Sequence, residues 1–208
     1  LESKYHEKGG EQSISKHRNL GHLTHQFFEA AKSKGFEYNP DFNGKEQQGV
    51  GTYQLFQKNG KRQSTYDAFL KPILKRKNLT VLTGATVKKV LFEGNKAEMV
   101  EFYVNGKQKK AKARREIILC AGAFGSPQIL MRSGIGDPEE LKEHGIILRA
   151  DNPEVGKNLQ DHLAFGINVE SDSQYSYDGL DKFPAFINPL LRYTLFRRGP
   201  FTSNIAEG

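Results

Sequence analysis

GAFGSPQILMRSGIG, residues 122–136, is entered from the apolar run IILC at 117–120, and its reading decides the fold. Four apolar residues in a row suit a strand covered on both faces. Ala121, Gly122 and Ala123 at its carboxyl end carry almost no side chain, which leaves bare backbone open to a ligand. Ser126 reads as an N-cap and Pro127 as the first residue of a helix that leaves at Gly134. A strand, a small-residue turn and a capped helix together form the edge at which an α/β sheet receives a dinucleotide, with helix N–H groups aimed at its phosphates. The same pattern also serves plain strand–helix packing. A second distinctive run, VGKNLQDH, follows at residues 155–162.

Working outward, Leu20, Leu23, Phe27, Ala30 and Ala31 recur at helical spacing, and Gly35 supplies a stop, so a helix is expected over 21–34. Residues 36–60 are rich in Gly, Asn, Asp and Gln and read as loops with short strands. Ser64 and Asp67 form a capping box for a helix that Pro72 kinks or confines to two short pieces. Its apolar stripe is Tyr66, Phe69, Leu70, Ile73 and Leu74. Strands are expected at 79–83, 86–92, 97–104 and 110–120. Turns at Glu93-Gly94-Asn95 and Asn105-Gly106 join the middle pairs, the second being a strong two-residue hairpin signal. Asp137-Pro138-Glu139-Glu140 repeats the N-cap and Pro device for a helix ending at Gly145. Residues 163–208 are aromatic-rich with weak periodicity.

The 208 residues carry a formal net charge of +7, a mean hydropathy of −0.64 and 14 Phe with no Trp. A core can form, and no apolar run is long enough for a membrane-spanning helix. The densest basic run, KQKKAKARR at 107–115, has no interleaved aromatics for base stacking. It reads as a solvated hairpin edge that discourages edge pairing, not as a nucleic-acid patch. Cys120, the single cysteine, ends an apolar run and is expected to be a buried, inert thiol.

Several segments together carry a resemblance. They are HEKGG at 6–10, GFEYNPDFNGKEQQGVGTYQ at 35–54, NGKRQSTYDAFLKP at 59–72, NLTVLTGATVKKVLF at 78–92, AKARREIILCAGA at 111–123, GAFGSPQILMRSGIG and DNPEVGKNLQDH at 151–162. In this order, over about residues 5–165, the chain resembles the glucose–methanol–choline (GMC) flavin oxidoreductases, with the flavour of arthropod glucose-dehydrogenase-like members. The resemblance implies an α/β (α+β) fold: part of an FAD-binding domain with a β-meander, interwoven with a GMC-type substrate domain and incomplete. Residues 1–63 and 161–208 would belong to the substrate domain and 64–160 to the FAD-binding domain.

It also implies FAD as cofactor and oxidation of an alcohol or sugar CH–OH group by hydride transfer to flavin, with oxygen or a quinone-like carrier as electron acceptor. A non-catalytic GMC-like binding or interaction protein is the alternative. Val87 sits where the family's backbone contacts the adenine. Ala121 and Gly122 lie beside the adenosine and pyrophosphate end, and Asn158, Leu159, Asp161 and His162 lie at the junction of the two domains. The compartment stays open, with secretion the option the family's animal members suggest.

The departures are as informative. The family's GxGxxG fingerprint is absent: Gly49-Val50-Gly51 is followed by Gln54, and Gly134-Ile135-Gly136 by Glu139. Nothing corresponds to the family's catalytic His and its His or Asn partner, so no catalytic residue is assigned. The chain reads as an internal piece, roughly the middle third, of a longer enzyme. His162 beside Asp161 does not read as a base with its orienting carboxylate, since adjacent side chains diverge. His22, His25 and Glu29 share a helix face, but such sets are frequent on polar faces, and no metal site is assigned. Ser126 and Ser133 lack the G-x-S-x-G elbow of a nucleophile.

Overall fold

The computed structural model describes residues 4–167, 169–170, 175–204 and 207. It divides into two compact units, Leu1–Thr80 with Asn168–Gly208, and Val81–Ile167.

The first unit opens with helix α1, His22–Ser33, close to its expected limits. Gly35, at φ +90°, ends it in the left-handed conformation that glycine takes without strain. Phe28 is the buried residue of α1 and meets Tyr38 edge-on. Gly49 and Gly51 let their loop approach its neighbour closely: a Cβ on Gly51 would lie 1.9 Å from the Asn39 carbonyl. Tyr38 and Val50 form a parallel bridge, and a Cβ on Gly49 would lie 2.5 Å from the Glu37 carbonyl, so that position must be bare for the two segments to meet.

The hairpin β1, Gln57–Lys58, and β2, Lys61–Arg62, turns through Asn59 and Gly60, both at positive φ. The Ser64–Asp67 capping box forms in full: Asp67 Oδ2 accepts from the Ser64 N–H at 3.1 Å and from Ser64 Oγ at 2.7 Å, and the Asp67 N–H donates back to Ser64 Oγ. Pro72 does confine the helix to two short pieces. A widened turn at Tyr66–Leu70 passes into a 3₁₀ turn at Lys71–Ile73. Tyr66, Phe69 and Leu74 stand exposed, and Ala68 is the buried member. Helix α4, which weak periodicity hid, spans Ile187–Phe196. Pro189 is its buried residue while Leu191, Leu195 and Phe196 face outward.

The second unit is a β-meander with helices. Strands β3 (Ala85–Glu93), β4 (Lys96–Val104) and β5 (Lys107–Lys112) form an antiparallel sheet in the order β3-β4-β5. Asn105 and Gly106, at φ 50° and 71°, close the second hairpin as read. Val90 and Phe102 are buried in the sheet. β5 is one of the two edge strands, exposed along its whole length and lined by lysines, which protects an open edge from pairing.

The strand expected at 79–83 does not form, and the one expected at 110–120 forms only over 110–112, within β5. Residues 79–83 and 113–120 carry no strand, Val81, Leu82 and Ile118 are exposed, Ile118 at 72%, and Cys120 is an exposed thiol, not a buried one. An apolar run becomes a strand only where a neighbour accepts its hydrogen bonds, and no described strand lies beside either segment.

Helix α2 spans Gly122–Arg132, so it begins four residues before the expected cap. Pro127 lies inside the helix, where it costs one backbone bond. Ser126 does not cap from outside; its Oγ accepts from the Ala121 N–H at 3.0 Å. Helix α3, Pro138–Glu143, is capped as read, with Asp137 Oδ1 accepting from the N–H groups of Glu139 and Glu140. β6, Ile135–Gly136, pairs in parallel with β7, Ala150–Asp151.

Ser133, at the C-terminus of α2, joins helix to sheet. Its Oγ accepts from the Val90 N–H at 2.8 Å and donates to the Ile129 carbonyl at 2.5 Å, in a buried setting. Ser133→Ala leaves the Val90 N–H buried without its acceptor and is expected to cost about 1–3 kcal/mol. Denaturant melts of the two proteins check this. An unchanged midpoint would show that Ser133 is not the fastening point.

Candidate functional site

The entry of α2 is the place in the described structure best suited to a ligand held by backbone. Ala121 and Gly122 are exposed. Gly122 has φ +78°, and no atom lies within 4 Å of the position a Cβ would occupy. The conformation therefore favours glycine, the surrounding space is open, and nothing obstructs approach to the peptide. A Cβ on Gly125 would come within 2.9 Å of the Ala121 Cβ, which keeps the first turn closely wound. The opening turn of a helix carries N–H groups with no intrahelical acceptor and the positive end of the macrodipole. An anionic, phosphate-bearing group fits this cradle by its chemistry.

Val87 lies in β3, half-buried, paired with Phe102 and beside an irregularity that shifts the register between Val87 and Lys89. α2 packs on β3, so Val87, Ala121 and Gly122 belong to one packed pair of elements.

Residues 155–162 are placed less tightly. Gly156 packs close to α2, where an added Cβ would sit 3.5 Å from Met131 Sδ. Lys157 Nζ pairs with Glu140 Oε2 at 2.9 Å. Beyond that point the chain is exposed and outside regular structure: Asn158, at φ 55°, donates from Nδ2 to Glu154 Oε2 at 2.9 Å, and Leu159 is 58% exposed. Asp161 Oδ1 accepts from the His162 backbone N–H at 2.7 Å, so this oxygen is engaged by main chain. Asn158, Leu159, Asp161 and His162 thus share a segment, and no described helix or strand holds them.

The polar set on α1 is occupied otherwise. Glu29 pairs with Lys32 at 2.7 Å, and the His22 ring lies against Tyr175. Among the described residues no group of three His, Cys, Asp or Glu side chains could hold a metal ion.

A buried carboxylate in the first unit has no local signal in the sequence. Glu207 is 4% exposed, and four groups donate to it: the Gly21 N–H at 2.7 Å and Thr24 Oγ1 at 2.6 Å to Oε2, Ser203 Oγ at 2.7 Å and Tyr177 OH at 3.0 Å to Oε1. Burial pushes the Glu207 carboxyl up, but the donors from Thr24, Ser203, Gly21 and Tyr177 outweigh it and hold the group below the ordinary carboxylate range. Burial, with Glu207 beside it, pushes the Tyr177 phenol up. His17 is pushed down by burial against the pull of Glu207. A second shielded pair, His6 Nε2 and Asp41 Oδ2 at 2.7 Å, is steadied by Gln54 Nε2 on Asp41 Oδ1. Here too burial raises the Asp41 carboxyl and the hydrogen bonds, His6 first, bring it below its usual value.

Comparison with known proteins identifies the family. A family profile described as GMC oxidoreductase matches residues 5–164. The chain belongs to the GMC oxidoreductase family. It is 42% identical to an alcohol dehydrogenase [acceptor] of Pseudomonas putida over 99% of its length and 38% of that protein's. It is 45% identical to an oxygen-dependent choline dehydrogenase of Brucella ovis over 89% of its length and 34% of that protein's. Among solved structures, an FAD-dependent oxidoreductase from Chaetomium thermophilum superposes with a TM-score of 0.81 at 26% identity, covering 94% of this chain and 35% of that one. The chain therefore spans little more than a third of the length of these relatives, and its fold is an incomplete α/β FAD-binding fold of the GMC kind.

Two consequences are measurable. Glu207 and Asp41 have native pKa values below their unfolded ones, so the stability they contribute is present above the ordinary carboxylate range. It is lost as pH falls through the native values. Urea melts should show stability falling below about pH 4, and Glu207→Gln should flatten that acid limb. An identical acid limb in the variant would remove Glu207 as its source. Separately, Gly122→Ala must place a side chain at positive φ and should cost about 1–2 kcal/mol. A variant as stable as the parent would show that the left-handed entry is not required.

Proposed function

We propose that this chain forms part of an FAD-dependent oxidoreductase that oxidises the CH–OH group of an alcohol or sugar. The observation that carries this reading is the open, positive-φ backbone at Gly122, at the start of a helix packed on the meander strand that holds Val87. The relatives' names, an alcohol dehydrogenase and a choline dehydrogenase, support an alcohol donor. When bound, FAD would supply the hydride-accepting chemistry, with oxygen or a quinone-like carrier as the electron acceptor.

The chain's own residues bind and orient. The backbone at Val87 receives the adenine edge, and its peptide groups suit hydrogen bonding without demanding a particular side chain. Ala121 and Gly122 admit the adenosine–pyrophosphate end to bare backbone, and the first turn of α2 offsets the phosphate charge. Asn158, Leu159, Asp161 and His162 brace the junction between the flavin-binding part, residues 64–160, and the substrate-binding parts, residues 1–63 and 161–208. Asn158 is suited to this by its positive φ, a conformation that Asn accepts more readily than most residues.

The test is flavin content together with turnover. Purified intact protein should release FAD on denaturation and reduce an artificial electron acceptor when given an alcohol. Gly122→Val should lower the FAD content by roughly tenfold or more, the equivalent of about 1.4 kcal/mol of lost binding. Protein that carries no flavin and takes up none would refute the reading.

A further inference from the structure

We propose that the β1–β2 hairpin and the end of α4 form a binding site for a phosphoryl group, independent of the flavin reading. Lys58, Lys61, Arg62 and Arg197 line one cavity of about 590 Å³ in the first unit. Lys58 and Lys61 are register partners directly across the hairpin. Like charges facing each other across two strands repel. None of the four cations makes an ion pair among the described residues. The one carboxylate in the wall, Asp67, is taken up by its capping box with Ser64 and by Lys71 at 3.8 Å.

Arg197 adds a separate observation. It caps α4 in the left-handed conformation, at φ 53° and ψ 43°, where glycine is the usual residue. An arginine there is strained, and the strain is retained while its guanidinium lies over the Tyr193 ring, 4.8 Å from the centroid, and its carbonyl accepts from Arg18 Nη1. Uncompensated positive charge, a repulsive cross-strand pair and a strained cation therefore converge on one cavity. A multiply charged anion relieves the first two and gives the third a purpose. A phosphoryl group carries this charge together with several acceptor oxygens, and it matches a mixed lysine and arginine donor set better than a single carboxylate does. It can come from a soluble phosphoester or from a lipid headgroup.

The test is calorimetric titration of intact protein with inorganic pyrophosphate at about 0.01 M ionic strength, where screening is weak. Saturable binding is expected. The double variant Lys58→Gln/Lys61→Gln should bind roughly tenfold or more weakly, because charge-assisted hydrogen bonds are lost. Without ligand it should melt at the same temperature as the parent or higher, since a repulsive pair has been removed. Arg197→Gly supplies a second variant whose backbone accepts the native φ; it too should keep its melting temperature and bind more weakly. Vesicles of phosphatidylcholine with and without phosphatidylglycerol identify the source. Binding to the anionic vesicles that pyrophosphate competes away points to a lipid headgroup, and pyrophosphate binding with no vesicle binding points to a soluble phosphoester. Absence of pyrophosphate binding, or equal binding by both variants, overturns the proposal. Neither of those results alters flavin content, so failure here leaves the oxidoreductase reading untouched.

Discussion

The second unit depends on one buried hydroxyl. A β-meander and a helix can each satisfy their own backbone, but nothing in that fixes one against the other. Ser133 does so by acting as acceptor for the Val90 N–H and donor to the Ile129 carbonyl at once. The contact lies between the sheet edge β3 and the last turn of α2, so it sets where the other end of the helix comes out. That end is the open backbone at Gly122. Gly134 follows directly, and its positive φ and lack of a side chain let the chain pass the Ile147 carbonyl and pair β6 with β7. Residue by residue, the path runs from the buried Ser133 hydroxyl to the open peptide at Gly122.

The first unit is held by a different device. Glu207 collects donors from α1, from Tyr177 and from Ser203, and its own carbonyl accepts from the Tyr53 N–H. A buried carboxylate left unpartnered would be costly; with four donors it becomes a point where distant segments must meet. Such a node gives little latitude to the segments it joins, so changes near it should be felt across the unit.

What the sequence made legible follows from how local each signal was. Asn105-Gly106, Gly35, the Asp137-Pro138 cap and the Ser64–Asp67 box each specify their geometry within four residues, and each formed as read. The runs at 79–83 and 117–120 have strand composition, yet a strand is made by its neighbours, and no described strand lies beside them. The start of α2 was misread because Ser126-Pro127 has the grammar of a cap, while the true entry uses the left-handed freedom of Gly122. α4 escaped because its apolar residues face outward and mimic no core stripe. Glu207 could not be found from sequence at all, since Gly21 and Thr24 lie more than 180 residues away from it.

At the entry of α2, the small residues at 121–123 were legible in the sequence, and the backbone shape, with Gly122 at positive φ, was not. The most direct measurement of the central claim is the absorption spectrum of intact protein titrated with a primary alcohol in the absence of oxygen. The account predicts an oxidised-flavin band that bleaches as alcohol is added and returns when oxygen or a quinone is admitted. A protein without that band, or with a band that no alcohol bleaches, would contradict it.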